Sequence, residues 1–244
     1  MYKIYALKHA HCDLRGDVVF HGGSVNEFYQ LFLYIWLIEG ADKPIVIDTG
    51  IRESYIEGFN RATAYYIPSG LIQGPGEDTV SLLKSKGVSP EDVGYVILTH
   101  FHPDHCTNMY LFSNAQLIMT RKAFLSNFPQ NVPKEVMEPL MKNWPSSLRL
   151  VDDYEEVLPG IKLFWLGVHS PCSQAISVVT KLGNVVLCGD NVYLYKNFEE
   201  NIPIGWVDPQ ESLAVFEKIR NVADVILPGH DPEVVTRFPG GVIG

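Results

Sequence analysis

The sequence predicts a domain of mixed α and β structure, and three observations carry that expectation. Short apolar runs of strand length recur along the 244 residues, separated by polar or Gly/Pro turns and by a few stretches of helical period. Nothing in the composition marks a linker, although the length would also hold two smaller units. Four apolar runs end in a histidine or an aspartate: residues 95–98 in His100, 161–166 in His169, 185–188 in Asp190 and 225–227 in His230. If those strands lie in neighbouring sheets, their ends converge on one edge, where a rigid scaffold holds reactive groups in place.

Residues 1–30 mix His9, His11, Cys12 and His21 with charged residues and glycines, in a spacing that fits no metal motif. Turn and surface roles are expected there, with one of these side chains at a pocket. Residues 31–39 and 44–48 read as strands around the polar turn Gly40-Ala41-Asp42-Lys43, closing on Asp48-Thr49-Gly50. Residues 51–76, punctuated by Pro68, Gly70, Gly74, Pro75 and Gly76, read as an irregular loop. Residues 77–86 form a helix with acids first, lysines last, Val80 and Leu83 on its apolar face and Gly87 as its stop.

After the strand at 95–98, residues 116–119 give another and 121–127 a helix. Residues 128–147 hold Pro129, Pro133, Pro139 and Pro145 beside Met137, Met141 and Trp144; an insertion acting as a lid or a homodimer contact is expected, with only short helical pieces. Strands return at 148–151, 156–158 and 161–166, and residues 176–181 and 184–188 pair as a hairpin across Leu182-Gly183. Asp208-Pro209-Gln210-Glu211 supplies an N-cap, a proline at N1 and an acid at N3, before Leu213, Phe216 and Ile219 recur at helical spacing. Residues 224–227 are the last strand.

Composition narrows the function classes. Apolar residues at 46% and charged residues at 19% are ordinary for a soluble globular enzyme, and no run approaches the roughly 20 apolar residues of a membrane span. The first residues carry no basic stretch leading into a long apolar one, so a cytoplasmic location is expected. Cys12, Cys106, Cys172 and Cys188 lie apart, without a C-x-x-C pair, as expected of free thiols. A net charge of -9 with no block of Lys or Arg argues against a nucleic-acid partner.

The densest chemistry lies in Thr99-His100-Phe101-His102-Pro103-Asp104-His105, where three of the eight histidines and a carboxylate fall close together. Neutral imidazoles and ionised carboxylates suit zinc and similar divalent ions. Packed without a metal, they would crowd polar groups that each need a partner.

His100, His102, Asp104 and His105, followed in order by His169, Asp190 and His230, form a pattern that resembles the metallo-β-lactamase superfamily, from Asp48-Thr49-Gly50 to Pro228-Gly229-His230. The resemblance implies the α+β class and an αβ/βα four-layer sandwich, two mixed sheets face to face with helices outside, as one domain over residues 1–244. It also implies two divalent ions, zinc first, with manganese, cobalt or iron as alternatives. His100, His102 and His169 would hold one ion and Asp104, His105 and His230 the other, with Asp190 bridging them and Asp48 orienting ligands from behind.

Within the superfamily, Asp190-Asn191-Val192-Tyr193, Asn197-Phe198-Glu199, Asp208-Pro209 and Gly229-His230-Asp231 are most similar to the N-acyl homoserine lactonase branch. That likeness implies attack on a lactone carbonyl by a hydroxide shared between the metals. Tyr193 would help stabilise the oxyanion, and Asp104 or Asp190 would pass the proton to the leaving oxygen. The chain departs from the branch at Cys106-Thr107-Asn108, where Ala-Gly-Gly is usual, and at Val168-His169-Ser170-Pro171-Cys172-Ser173, where Gly-His-Ser-Pro-Gly-His is usual.

Substrate preference is therefore expected to show at Cys106 and Cys172, with Trp206 as a further wall of the pocket. A thioester hydrolase of the glyoxalase type would share the same ligands. Acidity counts against a phosphodiesterase, and retention of all seven ligands against a non-catalytic metal-binding protein. His102 stands where a redox di-iron relative would carry an acid.

Overall fold

Runs such as Ile45-Val46-Ile47 and Tyr95-Val96-Ile97 are β-branched and aromatic, which suits a pleated and fully buried surface. In the computed structural model, which describes residues 1–126 and 147–244, such runs build two sheets. The strands are β1 (Lys3–Arg15), β2 (Phe28–Glu39), β3 (Ile45–Ile47), β4 (Tyr95–Ile97), β5 (Gln116–Thr120), β6 (Leu148–Val151), β7 (Glu156–Leu158), β8 (Ile161–Trp165), β9 (Gln174–Thr180), β10 (Gly183–Leu187), β11 (Val225–Leu227) and β12 (Val242–Ile243). One sheet has the order β12-β1-β2-β3-β4-β5-β6 and the other β11-β10-β9-β8-β7. The first is antiparallel from β12 to β3 and parallel from β3 to β6; in the second only β10 and β11 are parallel.

The sheets pack face to face. Ile38, Ile45, Ile47, Ile97 and Ile118 of the first meet Ile161, Leu163, Ile176 and Val185 of the second, all fully buried. On the other face of the first sheet, Val46, Val96 and Leu117 pack with Leu83 of the helix Thr79–Lys84 and Cys106 of the helix Pro103–Cys106. On the other face of the second, Phe164 and Val186 lie under Val215, Phe216 and Ile219 of the helix Pro209–Arg220. This is the αβ/βα sandwich of an α+β fold.

Several local expectations change. β1 runs through residues 3–15, which carried no strand signal; the register shift between Lys8 and Ala10 in its ladder with β2 interrupts the alternation. The expected loop over 51–76 contains the helix Glu53–Thr63, which has no fully buried residue but lays an apolar stripe, Tyr55, Ile56 and Phe59, against the core at helical spacing. Val80 and Leu213 turn outward, so the buried faces of their helices are carried by Thr79 with Leu83 and by Ser212, Val215, Phe216 and Ile219. The expected insertion at 128–147 lies, but for its last residue, outside the described residues. Among the described residues no helix is long and apolar enough to cross a membrane.

Candidate metal centre

Five strands bring their carboxyl ends to one edge. Asp48 follows β3, His100 follows β4, His169 follows β8, Asp190 follows β10 and His230 follows β11. His102 immediately precedes the single helical turn Pro103–Cys106, with Pro103 pre-set for the first helical position, and that turn carries Asp104 and His105. Two groups of potential ligands result: His100, His102, His169 and Asp190, and Asp104, His105 and His230, the ligand atoms of each lying within 4.8 Å of one another. Asp190 faces both groups. One carboxylate oxygen, Oδ2, lies 3.7 Å from His100 Nε2 and 3.5 Å from His169 Nε2, while Oδ1 lies 3.2 Å from His105 Nε2 and 3.0 Å from His230 Nε2.

Hydrogen bonds behind the cluster set the imidazole tautomers. Asp48, at a left-handed φ of 57°, accepts from Thr99 N at 2.7 Å and from Thr99 Oγ1 at 2.8 Å. Because that hydroxyl gives its proton to the carboxylate, the 3.0 Å contact with His100 is a donation from His100 Nδ1. His105 Nδ1 donates to Asp48 Oδ2 at 2.8 Å, and His230 Nδ1 donates to the Phe32 carbonyl at 2.9 Å. Each of these rings therefore turns an Nε2 lone pair toward the carboxylates.

Lone pairs and carboxylate oxygens at such distances repel unless a cation or proton stands between them. His100 Nε2, His105 Nε2, His169 Nδ1 and Asp190 Oδ1 are buried without a hydrogen-bond partner, and His102 Nδ1 faces His169 Nε2 at 3.0 Å. The donor set fits two divalent cations with imidazole and carboxylate ligands.

The electrostatics point the same way. Burial would lower His105, but Asp190, Asp104 and Asp48 outweigh it and raise the imidazole well above its ordinary range. Burial lowers His100 well below that range, assisted by the charge of His105, and brings His169 down to about 3. Burial opposes ionisation of both acids, yet the histidines win: His105 holds Asp104 down at about 2, and His230 and His105 hold Asp190 well below the carboxylate range. The cluster thus keeps its carboxylates charged and draws positive charge into its centre.

A cavity of about 280 Å³ opens on this centre. His102, Asp104, His169, Asp190 and His230 form its polar floor, and Leu14, Leu31, Leu33, Phe59, Ile67 and Leu71 part of its apolar wall. Tyr193 stands where the two meet, its ring 5.6 Å from that of His230 and 5.9 Å from that of His169, and Trp206, half-exposed, lies 5.6 Å from His169. Burial, then Asp190 and Asp104, raise the Tyr193 phenol well above its usual value, so it keeps its proton.

Cys106 and Cys172 do not reach this cavity. Both are buried in the apolar cluster beneath the first sheet, where Cys106 Sγ donates to the Phe101 carbonyl at 3.4 Å. Their neighbours also turn away from it. Thr107 Oγ1 accepts from Arg52 N at 2.8 Å, and Asn108 Nδ2 donates to the Ile51 carbonyl at 2.9 Å, so the pair pins the segment that follows Asp48.

The thiol at the wall is Cys12, which burial pushes up to about 12 and keeps neutral. It was one of four residues singled out in the first 30, but only the β1–β2 pairing shows that Cys12, Leu14, Leu31 and Leu33 share a wall. Buried His9 accepts from Ile51 N at 3.0 Å and fills the space a Cβ on Gly50 would need, which makes it part of that turn.

A sequence model of the family described as the Metallo-beta-lactamase superfamily matches residues 30–230. The N-acyl homoserine lactonase of Bacillus cereus is 27% identical over 239 residues, which cover 95% of this chain and 94% of that protein. The N-acyl homoserine lactonase AiiA of Bacillus thuringiensis subsp. kurstaki is 26% identical over the same coverage. Among solved structures, an N-acyl homoserine lactone hydrolase with the product N-hexanoyl-L-homoserine bound at its catalytic metal center is similar at a TM-score of 0.81 and 26% identity, with 97% of each chain covered. On a match that spans every one of the seven clustered groups, the chain belongs to the metallo-beta-lactamase superfamily.

Proposed function

We propose that this protein is a metal-dependent hydrolase of small lactones with an apolar tail, N-acyl homoserine lactones first among them. The observation that carries the reading is the apolar cavity whose floor is formed by five of the seven clustered groups, with Tyr193 at their junction. Likeness to the lactonases of Bacillus cereus and Bacillus thuringiensis along nearly the whole chain supports the same substrate class.

His100, His102 and His169 would hold one divalent ion, Asp104, His105 and His230 the other, with one oxygen of Asp190 toward each; zinc suits this set, and manganese, cobalt and iron are alternatives. Bound there, such ions supply Lewis acidity toward a carbonyl and a nucleophile at neutral pH. The apolar wall holds the tail of the substrate and excludes water around it. The Tyr193 hydroxyl donates to the carbonyl oxygen as negative charge develops on it. Asp104 or Asp190, on the polar floor, carries the proton to the leaving oxygen. Trp206 closes the wall beside His169.

The test is hydrolysis of a panel by the metal-loaded protein: an N-acyl homoserine lactone, an acyl thioester and a phosphodiester, followed by acid release. Ring opening should exceed thioester cleavage by a wide margin. Thioester or phosphodiester turnover above that of the lactone would overturn the substrate assignment.

A further inference from the structure

β4 and β5 pair in parallel register as far as Ile97 and Ile118 and then separate, as the chain after Leu98 turns into the His-rich stretch. The side chain of Gln174, at the start of β9 in the opposite sheet, sits in the opening. Its Nε2 donates to the Leu98 carbonyl at 2.7 Å, and its Oε1 accepts from Thr120 N at 2.9 Å. Its backbone N–H donates to the Thr99 carbonyl at 2.9 Å. Gln174 is fully buried and lines no part of the cavity.

A buried amide carries a desolvation cost that an apolar side chain of the same size would avoid, so its use here is informative. The amide substitutes for the lost sheet ladder and takes hold of Leu98 and Thr99 from the side of the second sheet. From the other side, the Asp48 carboxylate holds Thr99 N and Oγ1. Between them, the Thr99 hydroxyl is fixed where it accepts from His100 Nδ1, and Asp48 where it accepts from His105 Nδ1.

We propose that Gln174 is a positioning residue for the metal centre: by bridging the two sheets at the split between β4 and β5 it sets Thr99, and through Thr99 and Asp48 it aims one imidazole of each metal-binding group. The proposal rests on the metal-centre reading above.

The experiment measures zinc affinity by competition with a chromophoric chelator for the native chain, Gln174→Met, Gln174→Glu and Ile176→Ala. Gln174→Met keeps the length and removes both side-chain bonds; Gln174→Glu keeps the acceptor for Thr120 N and removes the donor for Leu98. Ile176→Ala, on the same strand and fully buried, weakens the core and removes no hydrogen bond to Leu98 or Thr99. The expected loss of affinity is about 10–100-fold for Gln174→Met, as for other residues that orient metal ligands, and less than about 3-fold for Ile176→Ala at comparable thermal stability. The visible absorption of the cobalt-loaded chain should change in Gln174→Met and not in Ile176→Ala.

Where Gln174→Met gives no folded protein, Gln174→Glu is held to the same comparison. Native affinity and an unchanged cobalt spectrum in a folded Gln174 variant, or an equal loss in Ile176→Ala, would overturn the proposal. A native chain that binds no zinc or cobalt would remove the metal-centre reading itself, an outcome separate from the failure of selectivity among variants.

Discussion

Asp48 serves three partners from a left-handed backbone position: Thr99 N, Thr99 Oγ1 and His105 Nδ1. Its role is to fix tautomers and ring orientation rather than to meet substrate. Asp48→Asn should therefore lower metal affinity by about 10–100-fold with the fold retained, as read by chelator competition and circular dichroism. Tyr193 belongs to the other side of the cluster, on the cavity. Tyr193→Phe should reduce kcat about 100-fold with a small change in KM, the pattern of a donor used mainly in the transition state. An unaltered kcat would return Tyr193 to a packing role.

At this scale the sequence was most legible where residue type alone carries the chemistry, as in the His and Asp set that the structure brings together. It was least legible at Cys106, Thr107 and Asn108. Which way those side chains point depends on how one helical turn packs on the sheet, and they face the core and the Gly50–Arg52 turn instead of the cavity.

Among the elements, the helix Pro209–Arg220 is the one whose start follows most directly from its residues, and two of its three expected apolar positions, Phe216 and Ile219, are buried while Leu213 turns outward. Asp208 Oδ1 accepts from Gln210 N at 2.9 Å and Glu211 N at 3.0 Å, and Phe216 is fully buried under the second sheet. Asp208→Ala should cost about 1 kcal/mol and Phe216→Ala about 3–5 kcal/mol in urea unfolding of the metal-loaded protein. Equal effects of the two would show that the face does not pack as described. β1 and the helix Glu53–Thr63 escaped the sequence for opposite reasons. β1 carries polar residues and a register shift that hide its alternation, whereas the helix has a clear apolar stripe of Tyr55, Ile56 and Phe59 that the Gly and Pro punctuation after it overshadowed. Both supply cavity wall, and of that wall the sequence pointed only to Trp206 and to one unspecified residue among the first 30.

For the molecule as a whole, strands that are far apart in sequence deliver their carboxyl ends to one edge. The strands and the residues at their ends were readable locally. The pairing of β1 with both β2 and β12, and the stacking of one sheet on the other, are long-range facts that no local pattern encodes; the family resemblance supplied the stacking, and only the structure shows the β1 pairing. Metal and fold are also linked at this scale, because buried ligands without partners destabilise the empty protein. Zinc at a hundred times its dissociation constant should stabilise the chain by about 2.7 kcal/mol per site, seen as a rise in Tm that a chelator reverses.

Dependence of lactone hydrolysis on metal held by the seven-group cluster is the most direct consequence of the proposed function. It is tested by following ring opening of an N-acyl homoserine lactone while metal-stripped protein is titrated with zinc. Activity should be absent at the start, rise with added metal and level off at two equivalents per chain. Full activity in the stripped protein, or none with two zinc ions bound, would contradict it.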